Sequence, residues 1–160
     1  MHIVVDLARQ TLTLIDEAGE PIRRYPVSTA LAGAGERRDS GCTPRGLHVV
    51  RARIGDGLDP YTVFRGRRPT GERWTPALAA DNPQRDWILG RILWLSGRQP
   101  GFNRLGDCDS MRRYIYIHGT GDDQPMGVPR SHGCVRMRVA DVVELFDRVP
   151  AGTTVEIGQA

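Results

Sequence analysis

Glycine limits what this chain can fold into. Its 160 residues include nineteen glycines, where an average usage of about 7% would give about eleven. Glycine weakens helix interiors and enables tight turns, so this content predicts a loop-rich, mainly β domain and argues against a helical bundle. The length fits one domain spanning residues 1–160, able to bury about two-thirds of its unfolded surface in a single core. No repeat, low-complexity tract or long charge block marks a linker.

Alternating apolar residues place the strands. His2–Asp6, Thr11–Ile15 and a segment around Ile22–Ser28 read as an opening meander, turning at Glu17–Glu20. Leu47–Ile54 follows, with Val50, Ala52 and Ile54 on one face and Arg51 and Arg53 on the other. From about Gly55 to Asp86 no period holds, and the expectation is a long loop or insertion. Ile88–Leu95 reads as a buried strand. Arg113–His118 alternates, Ile115 and Ile117 against Tyr114, Tyr116 and His118. Helical spacing is convincing once: Val139, Val142, Val143, Phe146 and Val149 form a stripe, with Asp141 and Glu144 early, Arg148 late, and Pro150 and Gly152 beyond. Thr153–Ile157 closes the chain as a strand, giving about seven strands and one C-terminal amphipathic helix.

The formal charge is +3. The arginines are scattered in pairs such as Arg23–Arg24, Arg67–Arg68 and Arg112–Arg113, a pattern of solvated surface rather than of a nucleic-acid interface. Anionic substrates with free carboxylates make better use of this surplus. The three cysteines, Cys42, Cys108 and Cys134, include no C-x-x-C pair, against a disulfide framework or a structural zinc site. No secretory leader opens the chain and no apolar run is long enough to span a bilayer. The expectation is a cytoplasmic protein without membrane attachment, or a periplasmic one if a signal peptide has been removed.

The chemistry sits in two segments, Tyr116-Ile117-His118-Gly119-Thr120 and Ser131-His132-Gly133-Cys134-Val135-Arg136. A cysteine directly after Ser-His-Gly lies on a turn where glycine permits backbone geometry other residues avoid. Converging N–H groups in such a turn hold an oxyanion. A histidine ending a strand sixteen residues earlier is placed to lower the thiol pKa and populate the thiolate, which is the nucleophile. A lone cysteine is more often a small buried hydrophobe, and that reading is kept for Cys42 and Cys108. A metal site from His118, His132, Cys134 and Cys108 matches no zinc spacing.

These two motifs resemble the signature of the L,D-transpeptidase catalytic domain, the YkuD-type fold. Val4-Val5-Asp6, Gln10–Leu14, Tyr25–Ser28, Thr43-Pro44-Arg45-Gly46, Asp141–Phe146 and Gly152–Val155 extend the resemblance over most of the chain. It implies a β-sandwich with Cys134 as nucleophile and His118 as base. The Gly119 carbonyl would fix the imidazole, and the N–H groups of Gly133 and Cys134, with His132, would form the oxyanion hole. Ser131, His132, Tyr116 and Arg136 would bind substrate, Arg136 as a carboxylate clamp. No cofactor and no obligate protein partner are implied.

Members of that family cleave the bond between a diamino acid and a following D-alanine in peptidoglycan stem tetrapeptides, through a thioester. An amine acceptor gives cross-linking in the periplasm; water gives an L,D-carboxypeptidase. Ile92–Gly97, Gly101-Phe102-Asn103 and Tyr114–His118 resemble the small cytosolic members that trim tetrapeptide stems during cell-wall recycling, so the carboxypeptidase is the favoured expectation, its donor a free peptide, a muropeptide or a nucleotide-linked precursor. Segment 55–86, with Asp122–Arg130, would gate the site. A noncatalytic murein-peptide-binding module would not need the Cys134–His118 pair.

Overall fold

A computed structural model describes residues 1–159; Ala160, the last residue of the expected domain, lies outside them. β1 (His2–Asp6), β2 (Thr11–Ile15) and β3 (Pro21–Pro26) make the opening meander. Ile3 faces Leu14 and Val5 faces Leu12 across the first pair, and alternation puts all four at zero exposure. β4 (Gly46–Ile54) follows, with a bulge between Val50 and Ala52 where it pairs with the later strand Ile88–Gly97.

The stretch read as a loop is largely folded. β5 (Thr62–Arg65) and β6 (Arg68–Arg73) form a hairpin, followed by α1 (Pro76–Asp81). Gly66 and Arg67 both have positive φ, 55° and 64°, the requirement of a type I′ two-residue turn. Thr75 caps α1, its Oγ1 accepting from Leu78 N–H at 3.1 Å, and Pro76 starts the helix. Trp74, Trp87, Val63, Leu89 and Val139 make a small core beneath this unit. The long-loop expectation fails because β5 is only four residues long, with Val63 and Phe64 both buried, and β6 is almost wholly exposed, so neither shows an apolar alternation to read.

β7 (Ile88–Gly97), β8 (Tyr116–Thr120), β9 (Val135–Arg138), α2 (Val139–Arg148) and β10 (Thr154–Gly158) complete the fold. The strand order is β3-β2-β1-β10-β4-β7, with β8 and then β9 continuing from β7 and the β5–β6 hairpin taking its N-terminal end. Just past β3, Ser28 exchanges backbone hydrogen bonds with Arg136 of β9, both 2.9 Å, and Ala30 bridges Ser131. The two ends of the sheet therefore meet, and the mainly β fold is a sheet curled on itself.

α2 packs on β7, β8 and β9. Val142, Leu145 and Phe146 are fully buried, with Val149 at 1%; each such side chain contributes roughly 1.5–3 kcal/mol. Leu145 belongs to the stripe although its position was not read from sequence. Arg53 closes the helix, its guanidinium donating to the Phe146 carbonyl at 2.7 Å and lying 4.0 Å over that ring. Neither helix is long and apolar enough to cross a membrane.

Candidate active site

β8 and β9 are parallel neighbours with His118 opposite Arg136. That register sets Cys134, just before β9, beside Tyr116, whose backbone N–H donates to the Cys134 Sγ at 3.3 Å. The thiol in turn donates to the Tyr114 carbonyl at 3.3 Å. Tyr114 has φ +57°, a left-handed geometry unusual for a bulky residue. The regular strand consequently starts at Tyr116, not at Arg113.

Several bonds hold the turn carrying Cys134. Ser131, buried, donates from Oγ to the Cys134 carbonyl at 2.6 Å and accepts the Gly133 N–H at 3.2 Å. Thr43 Oγ1 donates to the Gly133 carbonyl at 2.9 Å and accepts the Ala30 N–H at 3.0 Å. Gly133 has φ +133°, and a β-carbon there would lie 3.2 Å from the Cys42 carbonyl, so glycine is needed for both conformation and space. Its N–H is engaged within the turn.

His118 is 1% exposed. Its Nδ1 lies 2.7 Å from the Gly119 carbonyl; a carbonyl only accepts, so Nδ1 carries the proton and Nε2 keeps its lone pair. A side chain on Gly119 would meet the Leu89 carbonyl and Val142. Burial pushes the His118 pKa below its ordinary value, partly opposed by the Asp86 charge and the Gly119 hydrogen bond. The imidazole is therefore neutral and basic near pH 7.

The thiol does not follow expectation. Cys134 is partly exposed as a residue, yet burial of its sulfur pushes the thiol up to about 12, against the Tyr116 N–H, which stabilises the thiolate. The nearby Asp86 charge raises it further, while Arg136 and Arg113 oppose. Among the described residues no hydrogen bond joins His118 to Cys134, so the resting pair is thiol and neutral imidazole, not a preformed ion pair.

Cys134, His118, Ser131, His132, Tyr116 and Arg136 all line one open cavity of about 680 Å³. Sequence reasoning missed Asp86 there. Its carboxylate accepts from Arg136 Nη2 at 2.7 Å and lies 3.3 Å from His132 Nδ1. Burial pushes this carboxyl up, but His118 and Arg136 together outweigh that and hold it below the usual range. Arg136, read as a clamp for a substrate carboxylate, already grips a carboxylate of its own chain. Positive charge at the cavity wall comes instead from Arg67 and Arg112, since Arg38 pairs with Asp39 at 4.0 Å and Arg113 donates to the carbonyls of Gly35, Glu36 and Cys42. Arg67 rides on the hairpin turn, donates to Tyr116 Oη at 3.2 Å and lies about 5 Å over the Trp94 and Tyr114 rings. Cys42 and Cys108 do not line the cavity.

A family model for the L,D-transpeptidase catalytic domain, YkuD, matches residues 1–157. The chain belongs to this family. Over 99 residues it is 35% identical to the probable L,D-transpeptidase ErfK/SrfK of Escherichia coli, a match covering 57% of this chain and 29% of that protein. Over 48 residues it is 42% identical to the putative L,D-transpeptidase YkuD of Bacillus subtilis, covering 30% of this chain and 29% of that protein. The matched stretches thus span less than a third of these relatives. Among solved structures, an L,D-transpeptidase from Xylanimonas cellulosilytica covers 98% of this chain and 59% of its own, at 21% identity and TM-score 0.57. One from Mycobacterium smegmatis covers 98% and 57%, at 19% identity and TM-score 0.54. At such identities the likeness is one of fold.

Proposed function

We propose that this protein is a cysteine acyl-transfer enzyme that cleaves the bond between the diamino acid and the terminal D-alanine of a peptidoglycan stem tetrapeptide. The observation that carries the reading is the cavity shared by Cys134 and His118, with Nδ1 fixed on the Gly119 carbonyl so that Nε2 is the free base. Because the thiol rests protonated, the step is general-base catalysed: the sulfur attacks the scissile carbonyl as Nε2 takes its proton. The Tyr116 N–H beside Sγ and the N–H of Cys134 take the oxyanion. Collapse forms a thioester and expels D-alanine, whose amine receives the proton from His118. Water, deprotonated by the same imidazole, then releases the tripeptide and the thiol.

Water is the favoured acceptor and the cytoplasm the favoured compartment. Supporting this are the likeness of Ile92–Gly97 and Tyr114–His118 to small recycling members and a cavity of about 680 Å³, sized for one peptide. The arginines on its wall suit the donor's carboxylates. The names of the relatives favour a second reading, cross-linking through an amine acceptor. Incubation with a disaccharide tetrapeptide, read by mass, decides. Tripeptide product and free D-alanine support the carboxypeptidase; dimer as the main product supports the transpeptidase; no D-alanine release rejects both.

A further inference from the structure

The tip of the β5–β6 hairpin carries a guanidinium that takes no part in the proton transfers between Cys134 and His118. Arg67 lies about 5 Å over the faces of the Trp94 and Tyr114 rings, and its Nη1 donates to Tyr116 Oη at 3.2 Å. The platform is itself fixed: Trp94 Nε1 donates to the Met111 carbonyl at 3.1 Å, and the indole stands edge-on to the Tyr116 ring. Arg67 is half-buried although both its chain neighbours are exposed. It also holds φ +64°, a geometry that costs any residue with a β-carbon. A guanidinium seated on aromatic faces keeps its edge N–H groups aimed and loses little freedom on binding.

The other arginines of the cavity wall are differently placed. Arg38 pairs with Asp39, Arg136 pairs with Asp86, and Arg113 donates to backbone carbonyls. Arg112 is exposed and stands near Asp109. Arg67 is the one held guanidinium there with no carboxylate partner among the described residues. Its polar partner is a phenol that burial keeps protonated, which leaves edge N–H groups for an anion. That phenol also sets the distance to the chemistry. Tyr116 has its backbone N–H on the Cys134 sulfur at 3.3 Å and its hydroxyl on Arg67. The guanidinium therefore stands one tyrosine side chain from Sγ. An acyl carbonyl on the sulfur and a carboxylate one residue further along, about 3.3–3.6 Å of chain, fit that gap.

We propose that Arg67 determines where the enzyme cuts along a peptide: it binds the free α-carboxylate of the residue that leaves, so a donor must end one residue past the scissile bond. The proposal rests on the acyl-transfer reading of Cys134. A donor extended by another residue, or closed as an amide, presents a neutral group to Arg67 and forfeits the charge-assisted bond.

The test measures kcat/KM for cleavage of the tetrapeptide and of the same peptide amidated at its C-terminus, in wild type, Arg67→Ala and Arg67→Met. Methionine keeps an apolar stem over the rings without the charge. Wild type should favour the free acid roughly 10–100-fold, the range of one charge-assisted hydrogen bond. Both variants should bring that ratio near one, the loss falling on the acid. Equal use of acid and amide by wild type, a preference that survives Arg67→Met, or a loss shared equally by both donors overturns the proposal. A second pair of donors differs only in a side-chain carboxylate on the diamino acid, free or amidated. If the effect of Arg67 follows that group instead, the proposal fails. A parallel arm needs no peptide: 2-carboxyethyl methanethiosulfonate and its carboxamide analogue each form a disulfide with a thiol and expel methanesulfinate. On Cys134 the first places a carboxylate as many bonds from Sγ as that of D-alanine before it departs. Labelling of Cys134, followed by peptide mass, should favour the carboxylate reagent in wild type and lose that preference in Arg67→Met. This result supports the carboxylate site even if no donor is cleaved, an outcome that rejects the acyl-transfer reading alone. Equal labelling by the two reagents, or a preference that survives Arg67→Met, overturns the site whatever catalysis shows.

Discussion

The Arg136 guanidinium, its side chain 7% exposed, holds the Asp86 carboxylate at 2.7 Å across fifty residues of sequence. The pair ties the start of β7 to the end of the turn carrying Cys134 and sets a negative charge beside both His118 and Cys134. Losing one partner of a fully buried pair costs about 3–5 kcal/mol. Here Asp86 is 40% exposed, so Arg136→Ala should lower unfolding free energy by about 1–3 kcal/mol, measured by denaturant titration.

Asp86→Asn keeps the shape but removes the charge that raises the His118 pKa. The acid limb of kcat/KM, where the base becomes protonated, should then move to lower pH. A limb that stays in place or moves up would show that Asp86 does not act on the imidazole.

With the Cys134 thiol pushed up to about 12 by burial, its thiolate fraction should rise about tenfold per pH unit through the neutral range. Iodoacetamide labelling of Cys134 should climb from pH 7 to 10 without levelling, checked by peptide mass spectrometry. A plateau near pH 7 would mean a preformed ion pair.

Thr43 ties the turn carrying Cys134 to the segment after β3 through the Gly133 carbonyl and the Ala30 N–H. Thr43→Val leaves both backbone groups without this partner, a loss of about 1–3 kcal/mol. Turnover should fall as the turn loosens, and Thr43→Ser should restore both stability and rate.

His48, fully buried, accepts from Ser110 at Nε2 and donates from Nδ1 to the Gly46 carbonyl. Burial lowers its pKa from 6.5 to about 4. The unfolded chain binds this proton below pH 6.5 and the native state only near 4, so protons favour unfolding across that window. Its contribution is complete above pH 6.5 and is lost as pH falls to 4, about 3 kcal/mol at 1.36 kcal/mol per unit. Denaturant unfolding of His48→Gln should show a flatter stability profile between those limits.

How much of this was legible in the sequence depended on periodicity. The ranges of β1 and β2 in the structure are those the sequence predicts, because half-buried strands alternate apolar with polar residues. α2 was legible from its stripe and its ending. The β5–β6 hairpin was not: β6 is almost wholly exposed, and its turn uses Gly66-Arg67 rather than an Asn-Gly signal. Cys134 and His118 stood out because each lies in a distinctive local motif, which parallel strands then bring together. Asp86 had no such motif. Its importance comes from a tertiary contact with Arg136 and His132 that no local pattern encodes.

The measurement that bears most directly on Cys134 as the acylated nucleophile is intact-protein mass spectrometry after rapid quenching with a disaccharide tetrapeptide, with D-alanine assayed in the same samples. Wild type should carry one acyl group mapped to Cys134 and release D-alanine, while Cys134→Ala should do neither and Cys42→Ala and Cys108→Ala should do both. His118→Ala should acylate about 10²–10⁴-fold more slowly. D-alanine release by Cys134→Ala at the wild-type rate would contradict the account.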